Sequence, residues 1–189
     1  MTTRKPTKAD LAAAAGKHVP DLIAPNVRVL FCGINPSLYS AAVGHHFARP
    51  GNRFWPTLYA AGFTDRLLTA AEERELLVHG YGITNLVDRA SATADELAPA
   101  ELVTGRQQLM TKIHTYQLQA IAVLGVGAYR TAFARPRAVV GRQPEQINQA
   151  MLWVLPNPSG LNAHYQLADL ARVYRDFRLA LEGKATNKV

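Results

Sequence analysis

The sequence predicts an α/β protein of three layers, with helices on both faces of a central, mostly parallel four-stranded sheet. Three apolar runs, Val27–Cys32, Ala120–Leu124 and Met151–Leu155, are continuous rather than alternating, which is typical of strands buried on both faces. Helical patterns separate these runs, and strand–helix–strand units form right-handed crossovers in a parallel sheet. The extended segment Gly80–Val87 is expected to supply the fourth strand.

The first half of the chain is expected to contain three helices around its first strand. The alanine-rich residues Asp10–Gly16 predict a short helix that ends at the glycine. Residues Gly51–Ala60 predict a second helix with Pro56 in its first turn, where proline is tolerated. Thr69–Glu72 forms a capping-box pattern that opens a third helix, which ends at about Val78.

The second half predicts two helices that flank a strand, then a loop and a C-terminal helix. Pro99 begins a helix that runs to about Tyr116, because proline suits the first helical position. A shorter helix covers Val126–Phe133, and Pro136–Gln149 is expected to be loop with some strand. The C-terminal helix has Leu167, Leu170, Tyr174 and Phe177 on one face and Arg172, Arg175 and Arg178 on another.

Length and hydropathy favour one soluble domain. The 189 residues suffice for a single domain with a real core, and residues 1–8 and 183–189 are expected to be loose tails. No apolar stretch approaches the ~18 residues that span a membrane. No apolar signal segment follows Met1–Pro6. We therefore expect a cytoplasmic monomer.

Charge and cysteine content narrow the class of partner. A net charge of +7 and a pI near 9.8 favour a polyanion. Cys32 is the only cysteine and is expected in the core, which excludes an internal disulfide and a cysteine-ligated zinc or iron–sulfur site. The sequence has no dinucleotide-binding glycine motif, no Walker lysine loop, no His-Glu-x-x-His zinc motif and no Gly-x-Ser-x-Gly motif. His45 and His46 are adjacent, so their side chains diverge and are not expected to share a metal ion. No cofactor or metal is expected.

Two short polar loops follow predicted strands and are the most informative features of the chain. Gly33–Ser37 comes directly after Val27–Cys32, and Asn157–Leu161 comes directly after Met151–Leu155. In a parallel sheet both loops emerge at the carboxyl edge, where α/β proteins build their sites. Two asparagines that face one crevice suit a site for an amide-like heterocycle.

The residues of these loops are suited to cleavage of an N-glycosidic bond. Asn35 has no titratable group near neutrality, but its amide can hold a water or donate to a carbonyl. Water positioning suffices when the transition state already carries positive charge on the sugar. Phe47 can stack on a planar base, and an exposed Leu161 beside Gly160 can wedge into a base stack. The alternatives are an Asn-Pro turn that satisfies its own backbone and a leucine packed into the core.

Five segments carry a resemblance to a known family through their order and spacing. They are Val29–Pro36, Gly44–Ala48, Pro50–Trp55, Leu86–Arg89 and Trp153–Leu161, within a similarity from about Pro20 to Leu181. The chain resembles the mismatch-specific uracil-DNA glycosylases, bacterial relatives of thymine-DNA glycosylase in the uracil-DNA glycosylase superfamily. The resemblance implies their fold and a monofunctional enzyme that flips a base out of double-stranded DNA, hydrolyses its glycosidic bond and leaves an abasic site.

The resemblance also implies roles for individual residues. Asn35 would orient the attacking water, Phe47 would stack on the flipped base, and the backbone at Ile34 and Phe47 would read the base edge. Asn157 would contact the base or the flipped nucleotide, and Ser40 would line the base pocket near the 5-substituent. The wedge that enters the duplex and faces the widowed base would consist of Gly160, Leu161 and Asn162.

Several positions depart from the family pattern. Ser37 stands where the family often has glycine, Asn85 where some relatives have lysine, and Ala163 where some carry a wedge arginine, for which His164 is a candidate substitute. Stronger uracil glycosylases use a carboxylate in place of Asn35, so Asp88 and Asp95 are catalytic candidates. Their alternatives are an ion pair with Arg89 for Asp88 and a helix cap for Asp95.

The leading expectation is a glycosylase for uracil opposite guanine and other damaged pyrimidines such as ethenocytosine. A broader deaminated-base glycosylase for hypoxanthine or xanthine, a DNA-binding relic and a small-molecule nucleosidase are the alternatives. Charge and the wedge favour polymeric DNA over a nucleoside. Candidate phosphate ligands are Arg49, Arg53 and the arginines of the C-terminal helix. The alternative for Arg53 is a pairing within the protein, and the alternative for the helix arginines is a solvent-exposed face.

Overall fold

A computed structural model describes residues 4–183 and shows a five-stranded sheet between two layers of helices. The strands are β1 (Val29–Gly33), β2 (Tyr81–Asn85), β3 (Ala120–Leu124), β4 (Gly141–Ile147) and β5 (Ala150–Leu155), and their order across the sheet is β2-β1-β3-β5-β4. Neighbouring strands are parallel apart from the antiparallel pair β4 and β5. The predicted three-layer, mostly parallel fold is confirmed, with one strand more than expected.

The additional strand, β4, comes from the segment that was expected to be loop with some strand. Its Pro144 is compatible with a strand because β4 lies at the edge of the sheet, where a missing N–H is tolerated. The register shifts between Arg142 and Gln146, so the pairing is irregular around this proline. Asn148 and Gln149 have φ values of 47° and 71°, which suits the tight turn of a β-hairpin.

The helices differ from expectation mainly in their boundaries. They are α1 (Lys8–Ala12), α2 (Leu38–Val43), α3 (Phe54–Ala60), α4 (Pro99–Tyr116), α5 (Val126–Ala132) and α6 (Leu167–Leu181), with 3-10 helices at Ala70–His79 and Ala94–Glu96. The Thr69 capping box is present, but it opens a 3-10 helix rather than an α-helix. The sequence did not predict α2, because six residues are too few to show a helical repeat.

The N-terminal helix begins earlier than expected. The Thr7 hydroxyl accepts from the Asp10 N–H while the Asp10 carboxylate accepts from the Thr7 N–H, and this capping box starts α1 at Lys8. Lys8, the last residue of the expected N-terminal tail, is therefore the first residue of α1. Residues 1–3 and 184–189, which hold the rest of both predicted tails, lie outside the described residues.

The core forms on both faces of the sheet because successive strand residues point to opposite sides. On β1, Phe31 faces a cluster with α3 and α6, whereas Leu30 and Cys32 face a second cluster with α4 and α5. Cys32 is fully buried as expected, and burial raises the pKa of its thiol far above the usual range. Within residues 4–183, no helix is long and apolar enough to cross a membrane.

The sheet order places a natural binding crevice beside β1. Within the sheet, β2 lies next to β1 on one side and β3 lies next to β1 on the other, so the direction of strand addition reverses at β1. In open α/β sheets, ligands bind outside the carboxyl ends of strands at such a reversal.

Candidate active site

A cavity lies at this carboxyl edge, where segments that end all four parallel strands meet. It is lined by Gly33–Ser37 after β1, by Asn85 and Leu124 at the ends of β2 and β3, and by Asn157 after β5. The cavity volume is about 120 Å³, well above the roughly 10–15 Å³ that a single water requires. The two loops singled out in the sequence therefore face one site.

Asn35 is held in one orientation at this cavity. Its Nδ2 donates to the carbonyl of Arg89 at 3.1 Å and to Ser91 Oγ at 2.7 Å. Because a carbonyl can only accept, the nitrogen must be the atom that faces Arg89. Ser91 Oγ in turn donates to the carbonyl of Thr93 at 2.6 Å. Both amide hydrogens of Asn35 are therefore used, and its Oδ1 accepts no hydrogen bond from the described residues.

Phe47 lies at the cavity in an unusual backbone conformation. Its φ is 52°, in the left-handed region that a bulky residue rarely adopts. The N–H groups on either side are anchored, that of His46 by the Glu73 carboxylate at 2.8 Å and that of Ala48 by Ser40 Oγ at 3.1 Å. The Phe47 N–H itself has no acceptor among the described residues. This strained residue lines the cavity and brings an aromatic ring and an unpartnered N–H to its wall.

The ring of Phe47 is packed from below and beside. It stacks on Phe54 with a centroid distance of 4.0 Å and an interplanar angle of 24°. A Cβ at Gly33 would lie 3.3 Å from Phe47 Cζ and 2.5 Å from Asn85 Oδ1. Only glycine at position 33 allows the phenyl ring and the Asn85 amide to approach the end of β1 this closely.

Asn85 is the functional candidate that the sequence reasoning did not assign. It is 6% exposed and lines the cavity, yet its side chain makes no hydrogen bond to any described residue. Its amide atoms are not among the described polar atoms that are sealed inside the protein without a partner. They are open to the cavity, where a bound molecule can complete their hydrogen bonding. The available signal was a lone amide at the end of a buried strand.

Ser40 lines the cavity as expected, but its hydroxyl is used by the fold. Its oxygen accepts from the Ala48 N–H and from the Ser37 hydroxyl, each at 3.1 Å. Ser37 also caps α2 by accepting from the Ser40 N–H. Ser40 thus fastens the loop carrying Phe47 to α2, and Ser37 holds Ser40 at the start of that helix.

The loop after β5 is shaped by its own amides. Asn157 Oδ1 accepts from the Ser159 N–H at 3.0 Å, and the Asn157 carbonyl accepts from Asn162 Nδ2 at 2.9 Å. The Asn157 Nδ2 makes no hydrogen bond to any described residue. It remains available as a donor to a molecule in the cavity.

Arg53 fixes the same loop from beneath. Its guanidinium donates to the carbonyls of Ser159, Asn162 and Tyr165. The alternative of internal pairing is therefore the one observed for Arg53. A Cβ at Gly160 would lie 2.6 Å from the Gly51 carbonyl, so this glycine allows the loop to approach the segment before α3.

Leu161 is 69% exposed at the tip of this loop, beside the cavity that it also lines. It is not tucked into the core, so the packed alternative is wrong. Asn162 is committed to the loop, because its Nδ2 donates to Asn157 and its Oδ1 accepts from the His164 N–H at 3.1 Å.

His46 also lines the cavity and is buried. Its Nε2 lies 2.9 Å from the carbonyl of Pro20, which can only accept, so Nε2 carries a proton. Burial lowers the pKa of His46 below its ordinary value, although Pro20 and the Glu73 carboxylate oppose that effect. Glu73 also accepts from the His45 ring at 2.9 Å. The two imidazole rings therefore have separate partners, although Glu73 also accepts from the His46 backbone N–H.

The two aspartate candidates are placed differently. Asp88 is exposed and lines a separate depression with residues of α4, outside the cavity. Its expected partner Arg89 pairs instead with Glu101, at 2.6 Å. Asp95 is also exposed and lines a groove that shares Ile34 and Asn157 with the cavity. The expected helix-cap role belongs to the neighbouring Glu96, which accepts from the Thr93 N–H.

The arginines divide into structural and free groups. Arg175 and Arg178 donate to the carbonyls of Ala60 and Ala61 at the end of α3. Arg172 is exposed, as the solvated-face alternative expects. Arg49 is exposed at the cavity mouth and makes no side-chain hydrogen bond or ion pair with the described residues. It is the arginine of this site that is placed to contact a phosphate.

The fold and the site define an α/β protein with an amide-lined cavity at the carboxyl edge of its sheet. The family model of the uracil DNA glycosylase superfamily matches residues 20–178, most of the chain, and the protein belongs to this superfamily. Membership implies DNA glycosylase activity on damaged bases and DNA as the partner. The expected resemblance is confirmed at the level of the superfamily.

Proposed function

We propose that this protein is a monofunctional glycosylase of the mismatch-specific branch, which removes uracil opposite guanine and other damaged pyrimidines in DNA repair. It acts as a single-domain monomer and leaves an abasic site. The observation that carries the proposal is the orientation of Asn35, whose Nδ2 is consumed by Arg89 and Ser91. Its Oδ1 is left as an acceptor for water at the cavity.

Asn35 suits a reaction in which the leaving base departs before the nucleophile bonds. The C1′–N1 bond breaks with its electron pair on the uracil, and the sugar becomes oxocarbenium-like. A water held by Asn35 Oδ1 then adds to C1′ and releases a proton to solvent. An amide cannot take up that proton as a strong base. The role of Asn35 is therefore to place the water, and the rate depends on how well the amide is oriented.

Base recognition falls to groups that have no partner within the protein. The Asn85 amide offers one acceptor and two donors, which match the adjacent N3–H and carbonyl of a pyrimidine. The free N–H of Phe47, with the backbone at Ile34, reads another part of the base edge, and the Phe47 ring stacks on the base. The Asn157 Nδ2 contacts the base or its sugar. These donors also stabilise the negative charge that develops on the departing base.

Duplex handling falls to the loop after β5 and to the rim. Leu161 fills the space that the flipped nucleotide leaves, and the backbone of Gly160 and Asn162 faces the widowed base. Arg53 holds that loop in shape before DNA arrives. Arg49 contacts a phosphate at the mouth, so binding weakens as salt is raised.

A second candidate function is a broader deaminated-base glycosylase. The observation that favours it is again the unpartnered Asn85 amide, which can present either its oxygen or its nitrogen to a base. Such an amide accepts the N–H and carbonyl pair of hypoxanthine or xanthine as well as that of uracil. The relative rates on a panel of bases separate the two functions.

The deciding experiment is single-turnover cleavage of labelled duplexes that contain U·G, U·A, T·G or hypoxanthine·T, with alkali to reveal abasic sites. We expect U·G to be cleaved and Asn35→Ala to lose about 100-fold or more in rate, as when a group that positions a reactant is removed. Asp95→Ala and Asp88→Ala are run alongside, because either carboxylate could supplement Asn35. An Asn35→Ala variant with the wild-type rate would contradict the proposal, and no cleavage of any duplex would favour a DNA-binding relic.

A further inference from the structure

A second surface groove lies beside the cavity, between α1 and α2. Its volume is about 360 Å³. It is lined by Lys5, Pro6, Leu11, Leu38, Tyr39 and Pro50, together with the three residues Ser37, Arg49 and Ala92 that it shares with the active-site cavity. The groove therefore adjoins the active-site cavity.

The floor of the groove is apolar and partly aromatic. Leu38 and Tyr39 come from the first turn of α2, and Leu11 comes from α1; all three are half-buried rather than packed into the core. An aromatic ring on a surface next to a DNA site suits the stacking of an unpaired base.

The walls of the groove carry positive charge that the described residues do not neutralise. Lys5 and Arg49 are exposed, and neither forms an ion pair with a described residue. The one acidic residue among residues 4–17, Asp10, is occupied by the Thr7 N–H and by Arg4 at 3.2 Å. Lys8 and Lys17 add further positive charge to the same segment. An anionic occupant is favoured.

The segment that forms one wall is fixed to the rest of the protein. Ala14 is fully buried. The Gly16 N–H donates to the Ala90 carbonyl at 3.1 Å, and the Ala90 N–H donates to the Lys17 carbonyl at 2.7 Å. Ala90 precedes Ser91, which orients Asn35. This segment lies before residues 20–178, so the groove includes a wall from outside the region that the superfamily model matches.

We propose that the groove binds the nucleotide next to the flipped one in the same strand, with its base on Tyr39 and its phosphate between Lys5 and Arg49. The inference rests on the proposed glycosylase function and adds a subsite to it. It predicts that the enzyme gains rate from one additional nucleotide on one side of the uracil, and that the gain is largest where that nucleotide is unpaired.

The test uses duplexes that end in a U·G pair and carry zero to three unpaired nucleotides beyond the uracil, on its 5′ side or its 3′ side. The quantity measured is the extension factor, which is kcat/KM on the duplex with more unpaired nucleotides divided by kcat/KM on the duplex with fewer. For one side of the uracil, Tyr39→Ala should lower this factor about tenfold, within the range known for the loss of one base stack. Tyr39→Phe should preserve it.

Lys5→Ala should lower the same factor and reduce the salt dependence of the rate by about one phosphate contact. Lys8→Ala is the matched control, because Lys8 carries the same charge on α1 but does not line the groove. We expect the extension factor of Lys8→Ala to remain that of the wild type.

An extension factor that Tyr39→Ala and Lys5→Ala leave at the wild-type value would overturn the subsite. So would an equal loss in Lys8→Ala, which would indicate a general effect of charge. If the wild type released uracil from none of the duplexes, the proposed function would fail along with the subsite. Release that is unaffected by the groove variants would remove the subsite alone.

Discussion

Ser91→Ala is the substitution that most directly probes how the active site is oriented. Ser91 is 4% exposed, accepts from Asn35 Nδ2 at 2.7 Å and donates to the Thr93 carbonyl at 2.6 Å. Its removal leaves the Asn35 amide with only the Arg89 carbonyl to distinguish nitrogen from oxygen. The amide can then rotate, and Oδ1 no longer faces the water in every molecule.

The size of the effect follows from the bond that is lost. A neutral hydrogen bond contributes about 1 kcal/mol net, and up to ~1.5 kcal/mol where the partner is buried. If the whole of this free energy orients Asn35, its loss lowers the single-turnover rate about five- to tenfold. Asn35→Ala should lose more, because it removes the water ligand itself. The free energy of unfolding should fall by about 1–2 kcal/mol as the Asn35 N–H and the Thr93 carbonyl lose a partner.

A double-mutant cycle distinguishes positioning from a merely structural effect. If Ser91 acts through Asn35, adding Ser91→Ala to Asn35→Ala should change the rate less than twofold. Ser91→Thr keeps a hydroxyl and should retain most of the activity. Binding to DNA that carries an abasic site, measured by fluorescence anisotropy, should be unchanged in Ser91→Ala. Rate losses that multiply in the double variant, or a wild-type rate in Ser91→Ala, would refute the reasoning.

Two further predictions concern the loop after β5 and the buried histidine. Arg53→Lys keeps the charge but loses the planar guanidinium that donates to three carbonyls. Hydrogen exchange at 159–165 should therefore accelerate, and cleavage of duplexes should fall about tenfold more than cleavage of single strands. Arg172→Lys is the control, and equal losses on both substrates would contradict this role of Arg53. Burial lowers the pKa of His46 below 6.5, so the unfolded chain binds more protons and the stabilisation present above pH 6.5 is lost as pH falls through the folded pKa. The urea-unfolding free energy of His46→Gln, which keeps a donor for Pro20, should vary less between pH 7.5 and 5 than that of the wild type.

The sequence predicted the site best where local pattern and strand geometry coincide. The loops after β1 and β5 follow continuous apolar runs, and parallel strands bring their carboxyl ends to one edge whatever lies between them. Strand geometry therefore predicts Asn35 and Asn157 at one edge without any knowledge of side-chain contacts. It does not predict α2, whose six residues are too few to show a repeat, and the prolines of Pro136–Gln149 left that segment predicted as loop with some strand.

The sequence could not predict contacts that depend on distant parts of the chain. The carbonyls that hold Arg53 belong to residues more than 100 positions away, and nothing local to Arg53 announces them. Asn85 was noted as a departure from the family, but its significance lies in having no partner, which only the folded surroundings reveal. Asp88 and Asp95 show the reverse. Their local patterns suggested an ion pair and a cap, and neighbouring glutamates fill both roles.

Some polar groups around the cavity form hydrogen bonds within the protein, and others have no hydrogen-bond partner among the described residues. Ser40 and Arg53 hold loops in place through their hydroxyl and guanidinium groups. The Ser91 hydroxyl holds the Asn35 amide in place. Among the described residues that line the cavity, the uncharged side-chain amide groups that are left include Asn35 Oδ1, the Asn85 side chain and Asn157 Nδ2, beside the backbone N–H of Phe47. Burying a neutral amide at the cavity costs less desolvation free energy than burying a charged group, and neutral groups suit the binding of a neutral base. They also suit a transition state whose charge lies on the sugar, while the unpaired cations Lys5 and Arg49 lie outside, where phosphates would pass.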